Sequence, residues 1–130
     1  MSEQPDDQVV ELASRVFIMA REGQLAALVA YLDAGVPVNL ANDKGDTLLM
    51  LAAYHGHADV VAALLARGAD VNRLNDRGQS PVAGAVFKGA DDVVHALVSG
   101  GADPRAGHPT AVDTARMFGR EDLLEVLEPR

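Results

Sequence analysis

The chain contains no cysteine, which excludes both a disulfide framework and thiolate metal ligation. Aromatic residues make up only 4% of its 130 residues. A core built around large rings is therefore excluded, and the abundant alanine and leucine suit thin helices stacked closely. No apolar run approaches the roughly 20 residues that a membrane-spanning helix needs. The N-terminal Met1-Ser2-Glu3-Gln4-Pro5-Asp6-Asp7 has neither the basic start nor the apolar stretch of a secretory signal. A cytoplasmic location is the expectation. A basic excess is also missing: 11 Lys and Arg stand against 19 Asp and Glu, for a net charge of −8. That balance disfavours nucleic acid and anionic membrane as partners, and it leans toward a protein partner with a basic surface.

What the chain does have is a period. Gly23, Gly56 and Gly89 are 33 residues apart, and Gly119 follows after 30. A second glycine series, Gly35, Gly68 and Gly101, keeps the same 33-residue step. Small hydroxyl residues keep it too, at Ser14, Thr47, Ser80 and, with the shortened last step, Thr110. A glycine just past an apolar helical segment can end that helix in the left-handed conformation. The first series thus predicts the ends of first helices, and the second series the ends of second helices. Ser14, Thr47, Ser80 and Thr110 fall at cap positions, where a hydroxyl can accept from an exposed helix amide. Pro81 directly after Ser80 suits the first helical turn. Asn42-Asp43-Lys44-Gly45 and Asn75-Asp76-Arg77-Gly78 read as tight turns.

These residues carry a resemblance. Residues 45–72 run Gly-Asp-Thr-Leu-Leu-Met-Leu-Ala-Ala-Tyr-His-Gly-His, then an apolar helix, then Gly-Ala-Asp-Val-Asn. Residues 78–103 repeat the theme from Gly-Gln-Ser-Pro-Val-Ala to Gly101-Ala102-Asp103. Over about residues 9–127 the chain resembles the ankyrin-repeat family, in motif and in period. The resemblance implies an all-α fold, a solenoid of stacked helix-turn-helix units joined by β-hairpin-like loops. Leu48 replaces the family's proline and Met50 its histidine; Phe17 and Ala83 stand at that histidine position in the neighbouring repeats. Apolar packing is expected to replace the family's threonine–histidine bonding there. The family also implies a protein-binding scaffold without cofactors. Compact length and divergent repeats suit a small natural protein, expected to be bacterial, better than a consensus design.

Taken in order, residues 1–7 read as a frayed tail and residues 8–130 as one domain. The repeats fall at about 9–41, 42–74, 75–107 and 108–130, two internal and two capping. Val9, Leu12, Ala13, Val16, Phe17 and Ala20 recur at three- and four-residue steps and predict the first helix from Gln8. The next apolar set is Leu25, Leu28, Val29 and Leu32. Val61, Leu64, Leu65, Val94, Leu97, Leu123, Leu124 and Leu127 are the expected core between second helices. Repeat three is expected to be the softest internal unit. Gly84 lies inside its helix, at a cost of about 1 kcal/mol relative to alanine, and Ala90 replaces the histidine found at His57. Arg116, Arg120, Glu121, Asp122 and Glu125 give the last repeat the polar outer side that a solenoid end requires.

Chemistry finds little support. His55-Gly56-His57-Ala58-Asp59 resembles a metal cluster, but zinc needs three or four converging ligands, and His95 and His108 fall in other repeats. In the family, the histidine at the position of His57 helps tie the helix junction. No serine has a histidine–carboxylate arrangement around it. Asp70 and Asp103 recur at the repeat period, which assigns them to the hairpins. Gly100-Gly101 is not followed by the Gly-Lys-Ser/Thr of a phosphate loop. The expectation is no enzyme, no cofactor and no metal site.

The scaffold leaves some positions free. Before each first-series glycine come Arg21 and Glu22, Tyr54 and His55, Phe87 and Lys88, Met117 and Phe118. In ankyrin-like stacks these positions line the concave groove beside the turn tips, which add Asp43, Lys44, Asp46, Asp76, Arg77 and Gln79. Exposed aromatics and arginine are typical binding anchors; the rings could equally cover neighbouring helices. The residues predict a monomeric module that binds another protein through this groove. An alternative is a regulator or immunity-type inhibitor of a basic enzyme or toxin.

Overall fold

The computed structural model describes residues 5–129. Among these residues there are eight helices and no extended strand. In chain order they are α1 (Pro5–Glu22), α2 (Leu25–Asp33), α3 (Leu48–Tyr54), α4 (Ala58–Ala66), α5 (Pro81–Lys88), α6 (Asp91–Ser99), α7 (Ala111–Met117) and α8 (Glu121–Leu127). The starts of α3, α5 and α7 follow from one device. Thr47, Ser80 and Thr110 have extended backbone, and each hydroxyl oxygen accepts from the amide three residues on, at 3.0–3.1 Å. Pro81 occupies the first turn of α5, as its missing amide allows. Both glycine series have positive φ. At Gly89 the left-handed residue closes α5 and brings Ala90 N–H to the carbonyl of Ala85 at 2.9 Å.

The helices form two layers. α1, α3, α5 and α7 pack in series, as do α2, α4, α6 and α8, and each first helix packs on its own second helix. Contacts between elements thus run from neighbour to neighbour, the pattern of a solenoid. Val61, Leu64, Val94, Leu97, Leu123 and Leu127 are buried as expected, while Leu65 and Leu124 pack on the core from its edge. Met50 and Ala83 are buried at the motif's histidine position and Phe17 is half-buried, so apolar packing does replace the polar tie there.

Between the layers' edges run turns rather than hairpin strands. The loop before α3 holds a single antiparallel bridge, Ala41 to Thr47. Asn42 and Asn75 build identical turns 33 residues apart. Each side-chain oxygen accepts two backbone amides, Lys44 and Asp46 from Asn42, and Arg77 and Gln79 from Asn75, all at 3.0 Å. Successive turns then bond directly: Asp76 N–H donates to Lys44 O at 3.0 Å, and His108 N–H to Gly78 O at 2.9 Å. Asn39 and Asn72 add side-chain ties, accepting from the amides of Asp70 and Asp103 at 2.8 and 2.7 Å. Asp70 and Asp103, expected in hairpins, each accept from a backbone amide two residues on and so brace turns.

The N-terminal repeat departs from expectation. α1 begins at Pro5, not Gln8, because Pro5-Asp6-Asp7 is itself a helix-start sequence. Residues 1–4 of the expected tail lie outside the described residues. Ser14 is no cap; it lies exposed in the middle of α1, since no turn precedes it to break the helix. Val9 and Leu12 share the periodicity of Val16 and Ala20, yet only the latter two are buried. α3 has 7 residues against the 18 of α1, so it can cover only the second half.

The residue after each first-series glycine sets how adjacent repeats are tied. His57 Nε2–H donates to Arg21 O in the preceding repeat at 2.8 Å. Arg120 reaches back to Asp91 at 2.7 Å and also holds Asp122. Those bonds raise the guanidinium's affinity for its proton, with Asp122 the larger cause and Asp91 next, and they hold the Asp122 carboxyl below the usual carboxylate range. Ala90, at the same position in repeat three, offers only a methyl group to the junction.

Two outcomes follow. Leu64→Ala should lower unfolding free energy by about 2–5 kcal/mol in urea denaturation, a large part of the roughly 5–15 kcal/mol typical of a domain. Ala90→His should let an imidazole reach Tyr54 O, the counterpart of Arg21 O, and raise stability by about 1 kcal/mol. An unchanged or lower denaturation midpoint would show that the tie does not form there.

Candidate functional site

Between the first-helix layer and the turn tips lie two adjoining cavities. The larger, about 380 Å³, is lined by Arg21, Asp43, Lys44, Asp46, His55, Arg77 and the turn asparagines Asn42 and Asn75, with Leu51 at its floor. The smaller, about 270 Å³, is lined by Ala83, Gly84, Phe87, Pro109 and Thr114. Met50, Tyr54 and Gln79 border both, which makes the two cavities one groove.

The floor of the smaller cavity follows from side-chain size. Repeat two places Met50 and Leu51 on the third and fourth positions after its cap residue. Repeat three has Ala83 and Gly84 there. These small residues lie against the smaller cavity. A Cβ on Gly84 would make ordinary contact with Tyr54 Cδ1 at 3.6 Å and Met50 Sδ at 3.8 Å. Gly84 is thus neither a turn nor a point of closest approach, and space alone distinguishes it.

Exposed rings flank this floor. Phe87 is 57% exposed and Tyr54 39%. Phe87 and Phe118 meet edge to face with centroids 5.8 Å apart, and Tyr54 meets His55 the same way at 5.5 Å. Lys88 Nζ stands 5.0 Å above the Tyr54 ring. The rings therefore touch in two pairs along the groove while keeping much of their surface open.

Of the residues expected at the site, Arg21, Asp43, Lys44, Asp46, Tyr54, His55, Arg77, Gln79 and Phe87 line the groove. Lys88 and Phe118 reach it through Tyr54 and Phe87. Asp76 and Met117 are exposed but line neither cavity. The turn asparagines, Met50, Ala83, Gly84, Pro109 and Thr114 were not anticipated as lining. Gly84 carried a readable signal, a glycine inside a helix with no turn to make. Pro109 carried none, because the last turn is three residues short and its register is lost.

Charge in the groove differs from charge in the chain. Among the described residues, ion pairs engage Arg15, Arg67, Arg105, Arg116 and Arg120. None of these lines either cavity. Arg21, Lys44, Arg77 and Lys88 make no ion pair within the described residues. Asp46 is occupied by the Asn75 amide at 2.8 Å. Burial first, then the charges of Arg21, His57 and Lys88, push the His55 imidazole below its ordinary value. No group of three or more His, Asp or Glu able to hold a metal ion occurs among the described residues, and no described helix is long and apolar enough to cross a membrane.

The His55 environment has a measurable sign. Below the ordinary imidazole value near 6.5, the unfolded chain takes up a proton that the folded chain resists, so stability falls as pH drops through that value. In an NMR titration His55 should lie below a free imidazole, and Arg21→Gln should move it upward. An unmoved His55 would remove Arg21 from its surroundings.

Comparison with known proteins agrees with the architecture. Ankyrin repeats, in three copies, match residues 16–108. Putative ankyrin repeat protein PA3287 of Pseudomonas aeruginosa is 50% identical over 54 residues. That match covers 42% of this chain, and the chain spans about a third of the relative's length (32%). The crystal structure of the human ASB11 ankyrin repeat domain superposes with a TM-score of 0.78 at 29% identity, covering 86% of this chain and 52% of that one. The glycine clock, the capped helix pairs, the bonded turns and these matches together place the chain in the ankyrin-repeat family.

Proposed function

We propose that the protein binds a partner protein through the groove between its first helices and turn tips, and that it is not an enzyme. Ankyrin repeats are generally protein–protein interaction modules. The observation that carries this reading for this chain is where its aromatics fall. Tyr54, Phe87 and Phe118, three of the five aromatics in the chain, stand exposed along one groove. Burying each such ring against a partner would gain substantial apolar area, and the edge contacts of Phe87 with Phe118 and of Tyr54 with His55 hold them ready for it at little ordering cost. Nothing in the lining resembles a nucleophile–base pair. The Thr114 hydroxyl, the groove's one hydroxyl apart from the Tyr54 phenol among the described residues, donates to the Thr110 carbonyl at 2.7 Å.

The second reading, an inhibitor of a basic enzyme or toxin, rested on the net charge of −8. The groove does not carry that excess. Three cations and two carboxylates line its larger cavity, and Lys88 lies beside it over Tyr54. A basic partner surface is thus poorly matched to this face.

The test is affinity capture from the source lysate with wild-type protein and a Tyr54→Ala, Phe87→Ala, Arg77→Ala triple variant. All three side chains are exposed, so the helical circular dichroism signal should persist. The variant is expected to lose the proteins that wild type retains. Equal retention by both would remove the groove from the binding surface.

A further inference from the structure

We propose that the groove takes an acidic peptide segment of its partner, seating one apolar side chain over Gly84 and presenting a carboxylate to Arg21, Lys44 and Arg77. This rests on the groove-binding reading above and adds the chemistry of the bound segment.

Size argues for the first half. The Gly84 cavity, at about 270 Å³, falls just short of the roughly 300–1,000 Å³ of pockets that enclose a small molecule. Its walls are apolar and aromatic, from Met50, Tyr54, Ala83, Phe87 and Pro109. An inserted leucine, methionine or phenylalanine side chain would meet the Tyr54 and Phe87 rings and the Met50 sulfur. Such aromatic and thioether contacts are favourable beyond simple burial.

Charge argues for the second half. Among the described residues, four of the five Lys and Arg side chains without an ion pair, Arg21, Lys44, Arg77 and Lys88, stand at the groove, and only Arg73, bonded to Asn39 O, lies away from it, while Arg15, Arg67, Arg105, Arg116 and Arg120 are paired. Asp46 is held by Asn75, which leaves Asp43 as the one carboxylate of the lining not engaged by another side chain among the described residues. The local charge is thus opposite in sign to that of the whole chain. The lowered His55 value, owed first to burial and then to the charges of Arg21, His57 and Lys88, is in keeping with this. A carboxylate brought here would gain charge-assisted bonds to Arg21 or Arg77, without first breaking an ion pair. Because the two cavities share Met50, Tyr54 and Gln79, one extended segment can present both groups.

The experiment pans a phage-displayed library of random peptides against the immobilised full chain. The most enriched peptide is then made with a fluorescent label and its binding read by anisotropy. Enriched sequences should combine an apolar residue with nearby Asp or Glu. Gly84→Leu, which fills the cavity while favouring the helix, should weaken the peptide by about tenfold or more. Gly84→Ala, whose methyl group fits, should weaken it much less. Arg77→Glu on the exposed turn tip should weaken it to a similar degree as Gly84→Leu, with the loss shrinking as salt rises. Enrichment of basic or uncharged sequences, no enrichment over bare support, or indifference to Gly84→Leu or to Arg77→Glu would each overturn the inference. In those cases, loss of partner capture by the triple variant would still leave groove binding standing. Equal capture by wild type and the triple variant would instead overturn the broader reading.

Discussion

Adjacent repeats in this protein approach until the neighbouring repeat lies directly against the backbone, and glycine is what permits it. A Cβ on Gly23 would lie 2.5 Å from the His57 ring, one on Gly45 2.4 Å from Asp76, and one on Gly107 2.6 Å from Gly78 O. Each site falls at a junction between successive repeats. At that separation the polar ties become possible: His57 to Arg21 O, Asp76 N–H to Lys44 O, His108 N–H to Gly78 O. The helices are only 7–9 residues long beyond α1, too short to persist alone in water. They exist because stacking buries one face of each against the next repeat. Close approach is therefore the condition for the secondary structure as well as for the array.

This dependence explains what could be read from the sequence. Elements that recur at the period were legible, because one residue type must solve the same local problem each time. Thr47, Ser80 and Thr110 cap helices for one reason, and Asn42 and Asn75 hold turns for one reason. Ser14 kept the period but not the role. A cap needs a preceding turn to point the chain into the helix, and Pro5-Asp6-Asp7 starts the helix two turns earlier. The exposed Val9 and Leu12 fail likewise: periodicity states which residues share a face, not whether a neighbour arrives to cover it.

The groove was legible in its rim and illegible in its floor. Tyr54, Phe87, Arg77 and Gln79 could be placed because positions beside the helix-ending glycine and at the turn tips must face outward. The floor arises from a difference between repeats, Met50 and Leu51 against Ala83 and Gly84, and a motif comparison treats such differences as drift. Net charge does not describe the groove for a related reason. A sum over the chain does not register which cations are already paired, and pairing is what separates Arg67 and Arg120 from Arg21 and Arg77.

Repeat three joins these strands. Relative to repeat two it lacks the polar tie at Ala90, the bulk at Ala83 and the side chain at Gly84, so each change by itself reduces cohesion. All three would be expected to give way to larger residues if stability were the only demand, because Gly84 has room for a Cβ and Ala90 lies where His57 and Arg120 make bonds in other repeats. The small residues at Ala83 and Gly84 leave less side-chain bulk on the floor between Tyr54 and Phe87 than Met50 and Leu51 would. The rings on either side stand at outward-facing positions beside the helix-ending glycines and remain exposed above that floor. A local deficit in packing and an exposed aromatic rim are thus two sides of one substitution pattern, and a partner's apolar side chain is the group that would satisfy both.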